Sequence, residues 1–187
     1  MIDNPHGAAG MASDPEAPVP DVQDWTWVID ERCDFCEFDG RLIAAAEVPS
    51  TIPGLVSRWV AVLGRGDVAA RPGPAVWSPL EYACHVRDVF GVFAERATLI
   101  LTEDDARFTN WDQDATALAQ RYWRQDPEQV AEQLTERGHH IAGVFAAVPE
   151  GAWDRSGQRS NGSIFTLDTL GRYMLHDVVH HLADVRG

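Results

Sequence analysis

Two histidines four residues apart, His176 and His180, sit in the run Arg172-Tyr173-Met174-Leu175-His176-Asp177-Val178-Val179-His180-His181-Leu182. That run has the apolar spacing of a helix, and residues four apart on a helix point the same way. Two imidazoles so placed can hold one metal ion. A third histidine, His85, lies in another helical run, Ser78-Pro79-Leu80-Glu81-Tyr82-Ala83-Cys84-His85-Val86. If it came from a neighbouring helix, the three would form a site with an open coordination position. A divalent cation held there lowers the pKa of a bound thiol or water and supplies a nucleophile at neutral pH.

Four helices must position these residues. The first is expected from about Ser50 to Leu63, with Ile52, Leu55, Val56, Trp59, Val60 and Leu63 at three-and-four spacing. A short helical turn is expected before it, around 41–46. The second has the clearest start in the chain. Ser78 stands at the N-cap, Pro79 at the first helical position and Glu81 three residues after the cap. Its end is expected at 101–103. The third begins after Asp126-Pro127-Glu128 and runs to about Val148, where Pro149 stops it. The fourth follows Thr166, its expected N-cap, and runs to Val185. Residues 102–125 form a long polar-aromatic connection, helical in part near 116–122. Residues 150–165 read as a hairpin or loop with a turn at Asn161-Gly162. The fold class is therefore all-α: a four-helix bundle spanning 24–187 as one domain, preceded by a disordered tail over 1–23. The stretch Trp25-Thr26-Trp27-Val28-Ile29 is expected to dock as an extended segment.

On a helical projection at about 100° per residue, Leu167, Leu170, Met174, Val178, Leu182 and Val185 make one apolar arc. His176 and His180 lie to one side of it. His85 lies at the edge of the second helix's arc. Donors on the shoulder of a core stripe can converge between helices. Asp88, Asp177 and Asp184 are candidates to orient an imidazole by accepting its other N–H, or else are solvated charges. His181 points about 100° away from His180 and reads as a structural or second-layer residue. Arg172, one turn before His176, could clamp a carboxylate or form a salt bridge. Tyr173 could donate a hydrogen bond or pack. Trp111 and Asp112 belong to a loop able to close over the pocket. His139 and His140 read as surface or packing residues, and His6 lies in the tail. Cys84 reads as a small core residue.

Cys33-Asp34-Phe35-Cys36 is a CxxC pair. Without a second such pair or a βαβ pattern it reads first as structural or incidental, with redox chemistry and partial metal ligation as the other readings. It is expected to lie outside the bundle and to be dispensable for the histidine-bound metal.

The chain carries a formal net charge of −14 on 187 residues, with all 15 basic residues arginine. Phosphate binding needs clustered positive charge, so neither nucleic acid nor an anionic membrane is an expected partner. A small-molecule substrate is expected, and a homodimer is compatible. No apolar run approaches the roughly 20 residues of a membrane span. The start Met1-Ile2-Asp3-Asn4-Pro5-His6 is unlike a signal peptide, so a cytoplasmic protein is expected.

The Trp77-Ser78-Pro79-Leu80-Glu81 start with His85, and the late His176-x-x-x-His180-His181, resemble the DinB/YfiT-like superfamily over about residues 50–185. The resemblance implies a four-helix bundle holding one divalent ion on His85, His176 and His180. Zinc comes first, with nickel, iron or manganese as alternatives. Members of that family include metal-dependent thiol S-transferases and relatives of mycothiol-dependent maleylpyruvate isomerase. A metal-dependent transfer of a small thiol, of the mycothiol type, to a small electrophile is therefore the leading expectation. The lysine-free composition, read as the mark of a GC-rich genome, makes mycothiol a plausible cosubstrate. A hydrolase, lyase or isomerase on the same site is the alternative, as is a non-catalytic metal-binding stress or interaction protein.

Overall fold

The computed structural model describes residues 14–20 and 23–187. Most of the expected tail, His6 included, lies outside the described residues. Residues 14–20 carry no helix or strand. Asp14 nevertheless pairs with Arg124 at 2.6 Å, and the Glu16 carbonyl accepts from Arg71 at 2.6 Å.

Five helices and three short strands follow among the described residues: α1 (Val48–Leu63), α2 (Pro79–Thr102), β1 (Ala106–Phe108), α3 (Gln113–Gln120), α4 (Pro127–Ala146), β2 (Ser156–Arg159), β3 (Ile164–Thr166) and α5 (Leu167–Asp184). The four expected bundle helices are α1, α2, α4 and α5. The fold is a mainly helical four-helix bundle. Helix α4 packs between α1 and α2, and α5 packs on α2 and α1. Trp59, Phe90, Phe145 and Leu170, all fully buried, fill the space between them.

The helix starts follow their capping chemistry. Ser78 accepts from the Glu81 N–H, and the Glu81 carboxylate accepts from the Ser78 N–H at 2.8 Å, closing the expected box. Thr166 caps α5 through the Thr169 N–H at 3.1 Å. Asp126 caps α4 through the Glu128 and Gln129 N–H groups, both at 3.0 Å. The 102–125 connection is more structured than expected. Asp112 caps α3 by accepting from the Ala115 N–H at 2.8 Å, so this helix starts earlier than expected, and Arg121, left-handed at φ 49°, ends it. β1 runs parallel to β2, which pairs antiparallel with β3 around the Asn161-Gly162 turn. Gly162 has φ +99°, a conformation glycine adopts at little cost.

The Trp25–Ile29 stretch is not extended. Asp24 accepts from the Thr26 N–H at 3.0 Å and turns the chain into a 3-10 helix over Thr26–Ile29. Val28 on it is buried, worth about 1.5–3 kcal/mol for such a side chain, and this segment packs on α5.

Asp88 also departs from expectation. It neither sits on the surface nor orients an imidazole. Its carboxylate accepts from Arg87 at 2.9 and 3.0 Å, from the Tyr122 hydroxyl at 2.5 Å and from Arg137 at 2.6 Å. Burial alone would raise its pKa. The hydrogen bonds from Arg87 and Tyr122 and the charges of Arg87 and Arg137 outweigh burial and hold it below the usual carboxylate value. This cluster ties α2 to α4 and to the 3-10 turn at Tyr122–Arg124.

Replacing Asp88 by asparagine should cost about 3–5 kcal/mol, because Arg87 is left buried without its counter-charge. A folded pKa below the unfolded value gives stability that is present above about pH 4 and is lost as pH falls through the folded value. Urea unfolding should therefore show the gap between wild type and Asp88→Asn narrowing from pH 7 to pH 3. A second test concerns Gly138, where an added Cβ would overlap Val56 Cγ2 and crowd Phe90. Removing a helix-interior glycine gains about 1 kcal/mol, whereas overpacking costs about 1–3 kcal/mol. Gly138→Ala should destabilise in the same assay despite its better helix propensity.

Candidate metal centre

α5 carries two overlapping pairs at helical i,i+4 spacing: His176 with His180, and Asp177 with His181. One residue of offset rotates the second pair by about 100° from the first. Only one pair can face α2, and it is Asp177 with His181. The His85 Nε2 lies 3.2 Å from Asp177 Oδ1, and His181 Nε2 lies 3.8 Å from the same oxygen. One ligand atom from each of His85, Asp177 and His181 falls within 4.8 Å of the others.

His176 and His180 face the N-terminal segment instead. They group with Cys33 and Cys36, again with all four ligand atoms within 4.8 Å of one another. The Cys33 Sγ is 3.7 Å from His180 Nδ1. The three histidines expected to share one ion are thus divided between two groups. The expectation that the cysteines stand apart from the histidines is corrected: the 3-10 turn at Thr26–Ile29 returns the chain to α5 and carries them there. Cys84 is a core residue, as expected, with its thiol pushed up to about 12 by burial.

The first group has a donor set that could hold a cation. Asp184 Oδ2 lies 2.8 Å from His181 Nδ1. When that nitrogen carries the proton, Nε2 keeps its lone pair toward Asp177. Asp184 is therefore placed to orient an imidazole, that of His181, whose Nε2 could act as a donor. Trp111 stacks on the His85 ring at 5.3 Å and 8°, and Trp77 covers it at 5.6 Å. The Trp111 indole is itself held by Thr116 Oγ1 at 2.8 Å. Burial alone would raise the Asp177 pKa. The charge of His85 and its hydrogen bond, then the charges of His181 and His176, bring it down to about 2, so the carboxylate is ionised at neutral pH. His176, in the second group, is lowered to about 4 by burial and by neighbouring His180. It is neutral at pH 7, the form that ligates.

A cavity of about 490 Å³ opens beside both groups, bordered by Trp25, Trp111, Asp112, Arg159, Tyr173 and the α5 donors. Asp112 lines it while capping α3. Tyr173 lines it too, its phenol pKa raised chiefly by burial and then by Asp177, while Arg159 hydrogen-bonds its oxygen. Arg159 is the one arginine among the described residues of the lining. It is held over Phe165 at 5.4 Å and by Asn161 at 2.9 Å. Arg172 does not line the cavity. It pairs with Asp168 one turn back at 2.7 Å, the salt-bridge reading of that residue.

Nothing in the spacing of Arg159 signals that a hairpin will aim it at α5. The Asp177-x-x-x-His181 pair was as visible as His176-x-x-x-His180, and only the packing of α5 decides which pair faces His85.

Four long helices around one core, with histidine and carboxylate donors where α2 meets α5, define the class. The chain belongs to the DinB superfamily, whose model matches residues 53–185. The solved structure of YfiT from Bacillus subtilis, described as a probable metal-dependent hydrolase with an unusual four-helix bundle topology, shares the fold. It aligns with a TM-score of 0.63 and 19% identity, over 75% of this chain and 83% of that one. No curated protein matches the chain. No helix among the described residues is long and apolar enough to cross a membrane.

Asp184→Asn should weaken divalent-ion affinity about 10–100-fold, the usual effect of removing a carboxylate behind a ligating histidine. His85→Ala and His181→Ala should each lose one metal equivalent. Competition with a chromophoric chelator measures both, and unchanged affinity in Asp184→Asn would remove Asp184 from the site.

Proposed function

We propose that this chain is a metal-dependent enzyme that transfers a small thiol to an electrophilic small molecule, with His85, Asp177 and His181 as the metal ligands. The observation that carries the reading is the convergence of two imidazoles and one ionised carboxylate beside a cavity that Asp177 and His181 line, with His85 buried behind them. Three protein donors are the number found in catalytic sites, which keep a position open. A divalent cation in that position lowers the pKa of a bound thiol or water enough to supply a nucleophile near pH 7.

The remaining work falls to the chain's own side chains. Trp111 and Trp77 fix the plane of His85, and Asp184 fixes the ring of His181. Arg159 can bind a carboxylate on the electrophile and hold it against the cavity wall. Tyr173, kept protonated by burial, can donate to an oxygen on the electrophile. Trp25 and Trp111 border the cavity with apolar surface that limits water. A volume of about 490 Å³ is within the range of small-molecule sites. Mycothiol is the thiol we propose, zinc the metal, and the cytoplasm the compartment.

One observation favours water as the nucleophile instead. The donor set contains a carboxylate, as in the two-histidine, one-carboxylate sites of zinc hydrolases, and YfiT is itself described as a probable metal-dependent hydrolase. A cobalt-substituted titration separates the two. In protein carrying Cys33→Ser and Cys36→Ser, so that no thiolate near α5 contributes, mycothiol or a simple thiol should add a thiolate-to-cobalt charge-transfer band. His85→Ala should abolish that band. A spectrum that responds to acetate but to no thiol would replace the transferase with a hydrolase.

A further inference from the structure

The proposed chemistry leaves the second group on α5 unused. It is not a surface coincidence. Cys33 is 2% exposed and His176 3% exposed, and His176 Nε2 is buried with no hydrogen-bond partner. Cys33 Sγ approaches His180 Nδ1 to 3.7 Å. None of the three cysteines is in a disulfide.

The loop that presents the cysteines is shaped for the task. The Cys33 N–H donates to the Phe38 carbonyl at 2.9 Å, which closes the turn. Glu37, directly after Cys36, is left-handed at φ 62°, and its carboxylate anchors to Arg32 at 2.8 Å. The left-handed residue reverses the chain, so that the Phe38 N–H points back and donates to the Cys36 sulfur. Two sulfurs and two imidazoles then converge from two separate elements, one a tight loop and the other a helix with i,i+4 spacing.

We infer that Cys33, Cys36, His176 and His180 form a second, closed site for a zinc-type divalent ion, which staples the N-terminal segment to α5. The donor chemistry selects the ion: two thiolates with two imidazoles in four-coordinate geometry suit zinc. A tetrahedron with bonds of about 2.0–2.3 Å has edges of about 3.3–3.8 Å. The four ligand atoms, all within 4.8 Å of one another, are within about an ångström of that spacing. Ligation through Nε2 would also give the orphaned nitrogen of His176 a role. All four positions are filled by protein, so this ion is structural, in contrast to the three-donor group formed by His85, Asp177 and His181. A Cys33–Cys36 disulfide is the competing account, but it gives the two imidazoles no function.

The staple has a consequence for the cavity. Trp25 lies 4.8 Å from the His180 ring and 5.7 Å from that of His176, and it lines the cavity. An ion at the second site therefore holds one wall of the first.

Purified wild-type protein loaded with zinc and freed of excess should contain two equivalents by elemental analysis. Cys33→Ser/Cys36→Ser should contain one. Cobalt-loaded wild type should show a thiolate-to-cobalt charge-transfer band with no thiol added. The band should persist in His85→Ala, which loses only the other site, and vanish in the double serine variant. His180→Cys should keep the second equivalent through a three-sulfur, one-nitrogen set, which separates ligation from a folding defect. Two equivalents in the double serine variant, or no such band in the wild type, would overturn the site. So would one zinc per chain together with a Cys33–Cys36 disulfide in protein purified without oxidant.

Discussion

The rotation of about 100° per residue along α5 is the constraint on which the site depends. The helix must bury Leu167, Leu170, Met174, Val178 and Leu182 against α1 and α2. Once that stripe is fixed, the directions of every other side chain on the helix are fixed with it. Asp177 and His181 then face His85, and His176 and His180 face the incoming N-terminal segment. A one-residue change in the apolar register would turn His176 and His180 toward His85 in place of Asp177 and His181. The direction in which each of these side chains points is therefore a product of core packing, not of any local motif.

Two half-hidden carboxylates show how partners set function. Asp88 on α2 is 4% exposed and receives hydrogen bonds from Arg87, Tyr122 and Arg137. Its charge is compensated within the fold, and nothing is left for a ligand. Asp177 is held ionised mainly by His85, with His181 and His176 adding, groups that are themselves metal donors when neutral. A cation arriving there meets a carboxylate without an arginine competitor. The same residue type is thus compensated by guanidinium groups in one place and left to imidazoles in the other. The deciding difference is the presence of guanidinium groups.

Much of the bundle was legible in the sequence. The capping box at Ser78–Glu81, the Asp126-Pro127 start and the Thr166 cap are local signals, and the helices begin where those signals lie. The turn at Asn161-Gly162 was equally local. What the sequence could not show are the long-range pairings. The parallel register of β1 with β2 joins residues about 50 apart, and no periodicity encodes it. Trp25–Ile29 is rich in strand-forming residues, yet the Asp24 side chain turns it into a 3-10 helix. The histidines were all visible as possible donors. Their partition was not, because an i,i+4 pattern fixes a common face without saying which element that face will meet.

The division of labour between bundle and connections follows from dielectric and geometry. A bundle interior filled by Trp59, Phe90 and Phe145 gives donors precise positions but no room for a substrate. Donors on the shoulder of the apolar stripe escape that core, yet they need cover to exclude water. Two segments outside the four long helices supply the cover: the loop with Trp111, braced by α3, and the N-terminal segment with Trp25, braced against His176 and His180. The hairpin adds Arg159, a cation in a cavity otherwise bordered by carboxylates such as Asp112 and Asp177. Acidic walls favour a divalent cation, and the arginine among them offers an anion a counter-charge. Apart from α5, the cavity is thus bordered by segments outside the four long helices, whose lengths and turns can change without disturbing the bundle.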